Sequence, residues 1–287
     1  MNLILFTATL YHLRFLGRKG YNKSMSKNKA RTFGISWWIG LALFAGMICL
    51  MLGDILQRDG VIGSKTDVLV MGTNAGFKPF EYIDNNEIVG FDVDLAREIA
   101  KSMGKELKIE DMSFDGLLPA LDSGQIDMVA AGMTVTPERA KNALFSEPYY
   151  SASQRIIVKK GSPIRNKHQL SGRKIGVQLG TTGDTLASKI SGASVTQFQT
   201  APSVLQELSA GKIEAVILDD APAKRYGAGF SNLEILPGAL SDESYAIAIK
   251  KDNKDLLEKV NKEIAKMKQD GRYDKIIRKY FGEEVKS

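Results

Sequence analysis

Cysteine and histidine are nearly missing: Cys49, His12 and His168 are the only ones in 287 residues. A lone thiol cannot close an internal disulfide or build a multi-cysteine zinc site, and the two histidines stand too far apart for a zinc motif. Acid–base chemistry on imidazole would have to rest on His168 alone. The chain also lacks a phosphate-cradling glycine motif and any nucleophile placed beside a base. No metal, no cofactor and no catalytic residue are expected. Acid is absent from one stretch in particular. Residues 1–32 contain Arg14, Arg18, Lys19, Lys23, Lys27, Lys29 and Arg31 with no Asp or Glu, a formal +7. The whole chain carries +6, so everything after the leader sums to −1. A nucleic-acid surface would put its basic excess on the folded part, so no nucleic-acid partner is expected.

Charge is missing again from Phe33 to Leu52, a run of 20 residues. As a helix it would reach about 30 Å, the hydrocarbon thickness of a bilayer. Trp37 and Trp38 sit near its start, where amphipathic rings favour the interface. Basic residues precede it, and Asp54, Arg58 and Asp59 follow without cationic excess, which directs everything after Leu52 outward. The run is longer than a signal-peptide apolar region, and the nearest tolerable cleavage site, Val61-Ile62-Gly63, is distant. It is read as an uncleaved anchor in preference to a signal segment, with Cys49 as a small apolar residue of the span. Starting at Met25 would restore the usual basic-then-apolar order, so Met25 is expected to be the true start. The organisation expected is a basic cytoplasmic leader over 1–32, an anchor or signal over 33–52 and a linker over 53–65. An extracytoplasmic body follows.

With 44% hydrophobic and 25% charged residues, the chain has ordinary globular composition, and its length fits one or two domains. Short β-branched runs alternate with helical patterns from Val68 onward, the mark of an α/β fold. Strands are predicted at Val68–Gly72, Leu107–Glu110, Asp127–Ala131, Gln154–Lys159, Lys174–Gln178, Val195–Phe198, Ala215–Leu218 and Tyr245–Ile249. Leu95, Ile99 and Met103 place one apolar face on a helix over Phe91–Ser102. Thr136-Pro137 reads as a cap followed by proline at a first helical position, and helices are predicted at Asp184–Ile190, Asp255–Asp270 and Tyr273–Phe281. Gln154–Lys160 and Tyr245–Lys251 are similar apolar strands ending in Lys-Lys, and they bracket a middle block of βα units.

Three segments, in order, carry a resemblance. Gly90-Phe91-Asp92-Val93-Asp94-Leu95-Ala96-Arg97-Glu98-Ile99-Ala100 is followed by Phe114-Asp115-Gly116-Leu117-Leu118-Pro119-Ala120-Leu121. Then comes Ala131-Gly132-Met133-Thr134-Val135-Thr136-Pro137-Glu138-Arg139. Together they resemble the extracytoplasmic amino-acid-binding proteins of ABC importers, solute-binding protein family 3, over about Val68 to Phe281. The resemblance implies a type II periplasmic-binding-protein fold: two α/β lobes joined by two hinge strands and closing on ligand. It implies lobe 1 over 66–152 plus 245–287 and lobe 2 over 153–244. It implies a monomer that binds a free L-amino acid and delivers it to an ABC permease.

The residues of such a cleft can be assigned by the same resemblance. Arg139 sits where the family binds the ligand carboxylate, and a guanidinium offers a fixed fork for it. Ala131, Gly132 and Thr134 would line the same pocket beyond a strand end, with Thr181 and Thr182 opposite at a helix start. Asp220 matches the ammonium partner, while its neighbour Asp219 reads as a helix cap. Phe77 and Phe114 match the aromatic walls. Asp92 and Asp94, at a helix start, read as cap and dipole partners. Asn74 stands where relatives for cationic side chains have aspartate, yet Glu81 and Gln178 can face a guanidinium stacked between aromatics. Arginine is the expected ligand and glutamine the second. The alternative is an enzyme resembling cyclohexadienyl dehydratases, and it needs a cleft acid free to protonate a leaving hydroxyl. A sensor would need an output domain, for which the expected family end at Phe281-Gly282 leaves no room.

Overall fold

The computed structural model describes residues 68–282. The basic leader, the apolar run 33–52 with Cys49, the linker and Met25 all lie outside them. Among the described residues no helix is long and apolar enough to cross a membrane.

An apolar, β-branched strand, β1 (Val68–Thr73), opens the first half. A small antiparallel sheet follows, built of β2 (Gly76–Phe77), β3 (Glu81–Asp84) and β4 (Glu87–Val89). Helix α1 (Phe91–Ser102) then buries Phe91, Leu95 and Ile99 along one face and crosses over to β5 (Glu106–Asp111), parallel to β1. A single 3₁₀ turn at Phe114–Gly116 leads into α2 (Leu117–Ser123), which returns the chain to β6 (Met128–Val129) on the other side of β1. Helix α3 (Pro137–Ala140) and strand β7 (Ala143–Phe145) complete this passage, and β8 (Tyr150–Ala152) leaves it.

The second half is built of β9 (Gln154–Lys159), β10 (Lys174–Gln178), α4 (Thr182–Ser188) and β11 (Ser194–Phe198). It continues through α5 (Ala201–Ser209), β12 (Ala215–Asp219), α6 (Asp220–Gly227) and β13 (Leu233–Ile235). Every residue of β12 is buried, as expected of a central strand covered on both faces. The sheet order is β11-β10-β12-β9-β13. The chain returns along β14 (Glu243–Tyr245), antiparallel to β8, and β15 (Ala248–Lys250) enters the first sheet to give the order β5-β1-β6-β15-β7. Helices α7 (Lys254–Asp270) and α8 (Arg272–Phe281) pack on α1.

Two predicted strands differ. Tyr245–Ile249 is not one strand: Tyr245 pairs with Tyr150, whereas Ala248 and Ile249 pair in the first sheet. Residues 245–249 are all fully buried, because the segment passes from one pairing to the next inside packed surroundings. A continuous apolar run records that burial and not the change of partner. Asp127–Ala131 shrinks to Met128–Val129, with Asp127 instead accepting the Val70 N–H at 2.8 Å.

Gly90, at the start of α1, has φ +142°, and a Cβ there would lie 2.0 Å from the Phe80 carbonyl oxygen. Gly90→Ala is expected to cost about 3 kcal/mol and to lower the melting temperature by about 10 °C. Thermal unfolding followed by circular dichroism checks this; an unchanged midpoint would contradict it.

Candidate functional site

A pocket opens between the carboxyl ends of strands from the two sheets, lined by all of the residues expected from the sequence except Asp220. Asp219 lines it in place of Asp220. Strand β12 explains the exchange. Its alternation carries Asp219, 5% exposed, to the cleft as the last strand residue. Asp220 is already the first residue of α6, half-buried, and its Oδ1 accepts its neighbour's Ala221 N–H. Asp219 stands at the N-cap position but makes no capping bond; its carboxylate accepts the Tyr245 hydroxyl at 2.5 Å. Burial, then the charge of Glu243, pushes its pKa up to about 7.

One end of the pocket is built around Arg139. Thr136 caps α3, its hydroxyl accepting the Arg139 N–H at 3.2 Å, and Pro137 supplies the preset φ of a first turn. The guanidinium donates to the Thr134 carbonyl at 2.7 Å and to the Gly180 carbonyl, on the far half, at 3.0 Å. It lies 5.2 Å from the centroid of the Phe114 ring. Burial pulls its pKa down, and the acids Glu243 and Asp219 oppose that. Two of its five N–H donors meet backbone carbonyls, which leaves donors for an anion. Thr181 and Thr182 stand opposite, with the Thr181 hydroxyl accepting the Asp184 N–H at 3.3 Å to start α4.

Glu243, on β14, joins the halves. Its Oε2 accepts the Thr134 hydroxyl at 2.7 Å and the Thr182 hydroxyl at 2.8 Å, while Oε1 accepts Ser241 at 2.7 Å. Gln154 donates to the Thr182 hydroxyl at 3.1 Å. No motif singled out Glu243 or Gln154, since neither lines the pocket and each meets the lining residues Thr134 or Thr182 only once the chain has folded.

At the other end, Asn74 and Gln178 meet across the two halves: Gln178 Nε2 donates to Asn74 Oδ1 at 2.9 Å, and Asn74 Nδ2 donates to the Met112 carbonyl at 2.7 Å. Phe77 packs so close to Gly132 (φ +52°) that a Cβ there would lie 2.8 Å from the ring. Glu81, at the start of β3, is fully buried, and neither carboxylate oxygen has a hydrogen-bond partner. Burial, then the nearby Asp92, pushes its pKa well up.

Asp92 is not the cap that its position suggested. Gly90 holds the N-cap without any side-chain bond, and Asp92 is fully buried behind the cleft. Its Oδ2 accepts the Gly132 N–H at 2.8 Å and the Tyr149 hydroxyl at 2.7 Å, so it supports the left-handed turn at Gly132. Asp94 instead ties α8 to α1, accepting Lys279 at 2.6 Å and the Tyr280 hydroxyl at 2.8 Å. His168 is exposed on the 3₁₀ turn Lys167–Leu170, away from the lining residues.

The arrangement offers a cation at one end, an acid beside it and an acceptor-rich far end, which suits a zwitterion with a hydrogen-bonding tail. Known proteins resemble it closely. Residues 69–283 match the family described as bacterial extracellular solute-binding proteins, family 3. The arginine-binding extracellular protein ArtP of Bacillus subtilis is 38% identical over 85% of this chain and 97% of its own length. A probable histidine-binding protein of Campylobacter jejuni is 37% identical over 75% of this chain and 85% of its own. The crystal structure of a mutant of ArgBP from T. maritima superposes with a TM-score of 0.73, at 46% identity, over 76% of this chain and 96% of its own. These relatives are binding proteins and not enzymes, which sets aside the dehydratase alternative. With its two α/β halves of the type II fold, the chain belongs to the bacterial extracellular solute-binding proteins of family 3.

Proposed function

We propose that this chain is the extracytoplasmic receptor of an amino-acid ABC importer, taking a polar or basic L-amino acid, arginine before glutamine, and delivering it to the permease. One observation carries the specificity. Every buried side-chain polar atom without a partner among the described residues is an oxygen, and Glu81 Oε1, Glu81 Oε2 and Gln178 Oε1 belong to cleft residues. Buried acceptors without donors are costly, and a guanidinium brings five N–H donors. In this reading Arg139 pairs with the ligand carboxylate, helped by groups of Ala131, Gly132, Thr134, Thr181 and Thr182. Asp219 pairs with the ammonium. Phe77 and Phe114 flank the side chain, and Glu81, Asn74 and Gln178 form its far end. The arginine named for ArtP and the T. maritima protein supports the choice.

The two sheets act as lobes, 66–152 with 245–287 and 153–244, hinged at the paired β8 and β14. The bonds from Arg139 to Gly180 and from Glu243 to both Thr134 and Thr182 are contacts that lobe opening would break. Ligand shifts the open–closed balance by its greater affinity for the closed state, and closure offers the permease a distinct surface. The receptor works as a monomer, without cofactor, held at the outer membrane face or secreted by its N-terminal segment. Calorimetric titration of the refolded, ligand-stripped protein against the twenty amino acids tests the reading. Arginine is expected to bind most tightly; glutamine binding more tightly would discard the specificity, and no binding at all would discard the function.

A further inference from the structure

Glu81 and Asp92 are two carboxyls with no cation between them. Asp92 Oδ2 is fully used by Gly132 and Tyr149, but its Oδ1 has no partner, and neither has Glu81 at either oxygen. The Asp92 N–H donates to the carbonyl of Phe80, the residue before Glu81, at 3.0 Å, so two fully buried carboxyls lie on adjoining segments, and each perturbs the other. As two carboxylates they have only acceptors to offer one another, and two like charges in a dry site cannot both ionise cheaply. One proton, donated by Glu81 to Asp92 Oδ1, satisfies that oxygen and one of the two Glu81 oxygens, leaving the other as an acceptor. The other titratable groups that act on this pair do not neutralise it. Asp111 at the end of β5, Asp219 at the end of β12 and the hydroxyls of Tyr149 and Tyr226 all face Glu81, and none is cationic.

We propose that Glu81 and Asp92 share one proton in the empty cleft, that a cationic ligand side chain expels it, and that a neutral side chain of the same shape leaves it in place. Asp92 is then a positioning residue that sets the charge of Glu81 without touching ligand. The cleft accepts either side-chain class at nearly constant internal charge, because guanidinium and proton exchange for one another. Glu81 faces a guanidinium as carboxylate, or keeps its O–H on Asp92 and accepts an N–H of a neutral amide or ureido group at its other oxygen. Binding that releases a proton strengthens as pH rises, so arginine should gain on its neutral counterpart by about tenfold per pH unit for one proton. Burial supports this on the side of the pair: Asp92 is itself pushed up to about 6.

The inference rests on the proposed amino-acid reading of the cleft, and citrulline, the uncharged isostere of arginine, separates the two. The refolded full chain is titrated with each ligand at pH 7 in two buffers of different ionisation heat, which counts protons released. Asp219 meets the same ammonium in both ligands, so its share cancels in the comparison. Arginine is expected to release about one proton more than citrulline. In Asp92→Asn the amide donates to Glu81 permanently, and the excess should vanish along with the pH slope that distinguishes the ligands. In Glu81→Gln the excess should vanish too, with arginine weakened at least about tenfold more than citrulline. Equal proton counts in the wild-type protein, or failure of citrulline to bind where arginine binds, would overturn the shared proton while leaving the receptor reading intact. Failure of every amino acid would overturn the receptor reading, and this inference with it.

Discussion

Arg139→Ala should weaken binding of the cognate amino acid at least about a thousandfold, near 4 kcal/mol, while the ligand-free melting temperature moves by only a few degrees. The guanidinium is held over Phe114 and between the Thr134 and Gly180 carbonyls, ready to meet a carboxylate with two parallel bonds. Truncation leaves a desolvated ligand carboxylate without its counter-charge, which is the costly half of breaking a charge pair. It costs the empty protein little, because burial already disfavours that cation and both carbonyls can turn to water. Arg139→Lys keeps the charge and loses the fork, so it should fall between, at roughly tenfold weaker than wild type. Titration calorimetry with thermal unfolding separates the two effects. Wild-type affinity in Arg139→Ala would remove Arg139 from the site.

Neighbouring aspartates provide the second large contrast. Asp219→Asn should weaken binding by about a hundredfold, roughly 3 kcal/mol, whereas Asp220→Asn should stay within about threefold. Only Asp219 reaches the pocket, and its amide substitute can still accept the Tyr245 hydroxyl while losing the charge that an ammonium requires. Stability should move the other way. Asp219 titrates near 7 in the folded chain against about 3.9 unfolded, so the folded state binds the proton more tightly. The Asp219 contribution to the stability of the ligand-free protein therefore falls as pH rises from about 4 to about 7, and is flat above. Asp219→Asn should shallow that slope and raise the melting point at pH 8. Equal binding losses in the two variants, or loss in Asp220→Asn alone, would return the ammonium role to Asp220.

The junction at this strand end shows where sequence reading reaches its limit. Leu218-Asp219-Asp220-Ala221 gives two acids at a strand-to-helix junction, and the junction's position by one residue decides which faces the cleft, since successive strand residues point to opposite sides. Asp92 was misread for a related reason. Its place in the first turn of α1 has a ready local explanation, and nothing nearby in sequence announces that Gly132, forty residues on, needs an acceptor there. Glu243 carried no signal at all, because a glutamate on a short strand comes to accept from Thr134 and Thr182 only when β14 pairs beside β8.

What the chain alone determined is the part governed by local rules and by contiguous motifs. The period of Phe91–Ser102 specifies an amphipathic helix, the Thr136-Pro137 pair starts α3, and the β-branched runs at Val68, Gln154 and Lys174 form strands close to the predicted bounds. Motifs around Gly132 and Arg139 placed one wall of the cleft, because a short loop at a strand end brings its own residues together. Tertiary structure alone decided which acid lines the cleft, that a single apolar run would divide between two sheets, and that two carboxyls from different elements would be buried without a cation. Those outcomes depend on burial and on contacts between residues far apart in the chain. A side chain's charge and partners follow from what surrounds it after folding, and that is not written in its neighbours along the sequence.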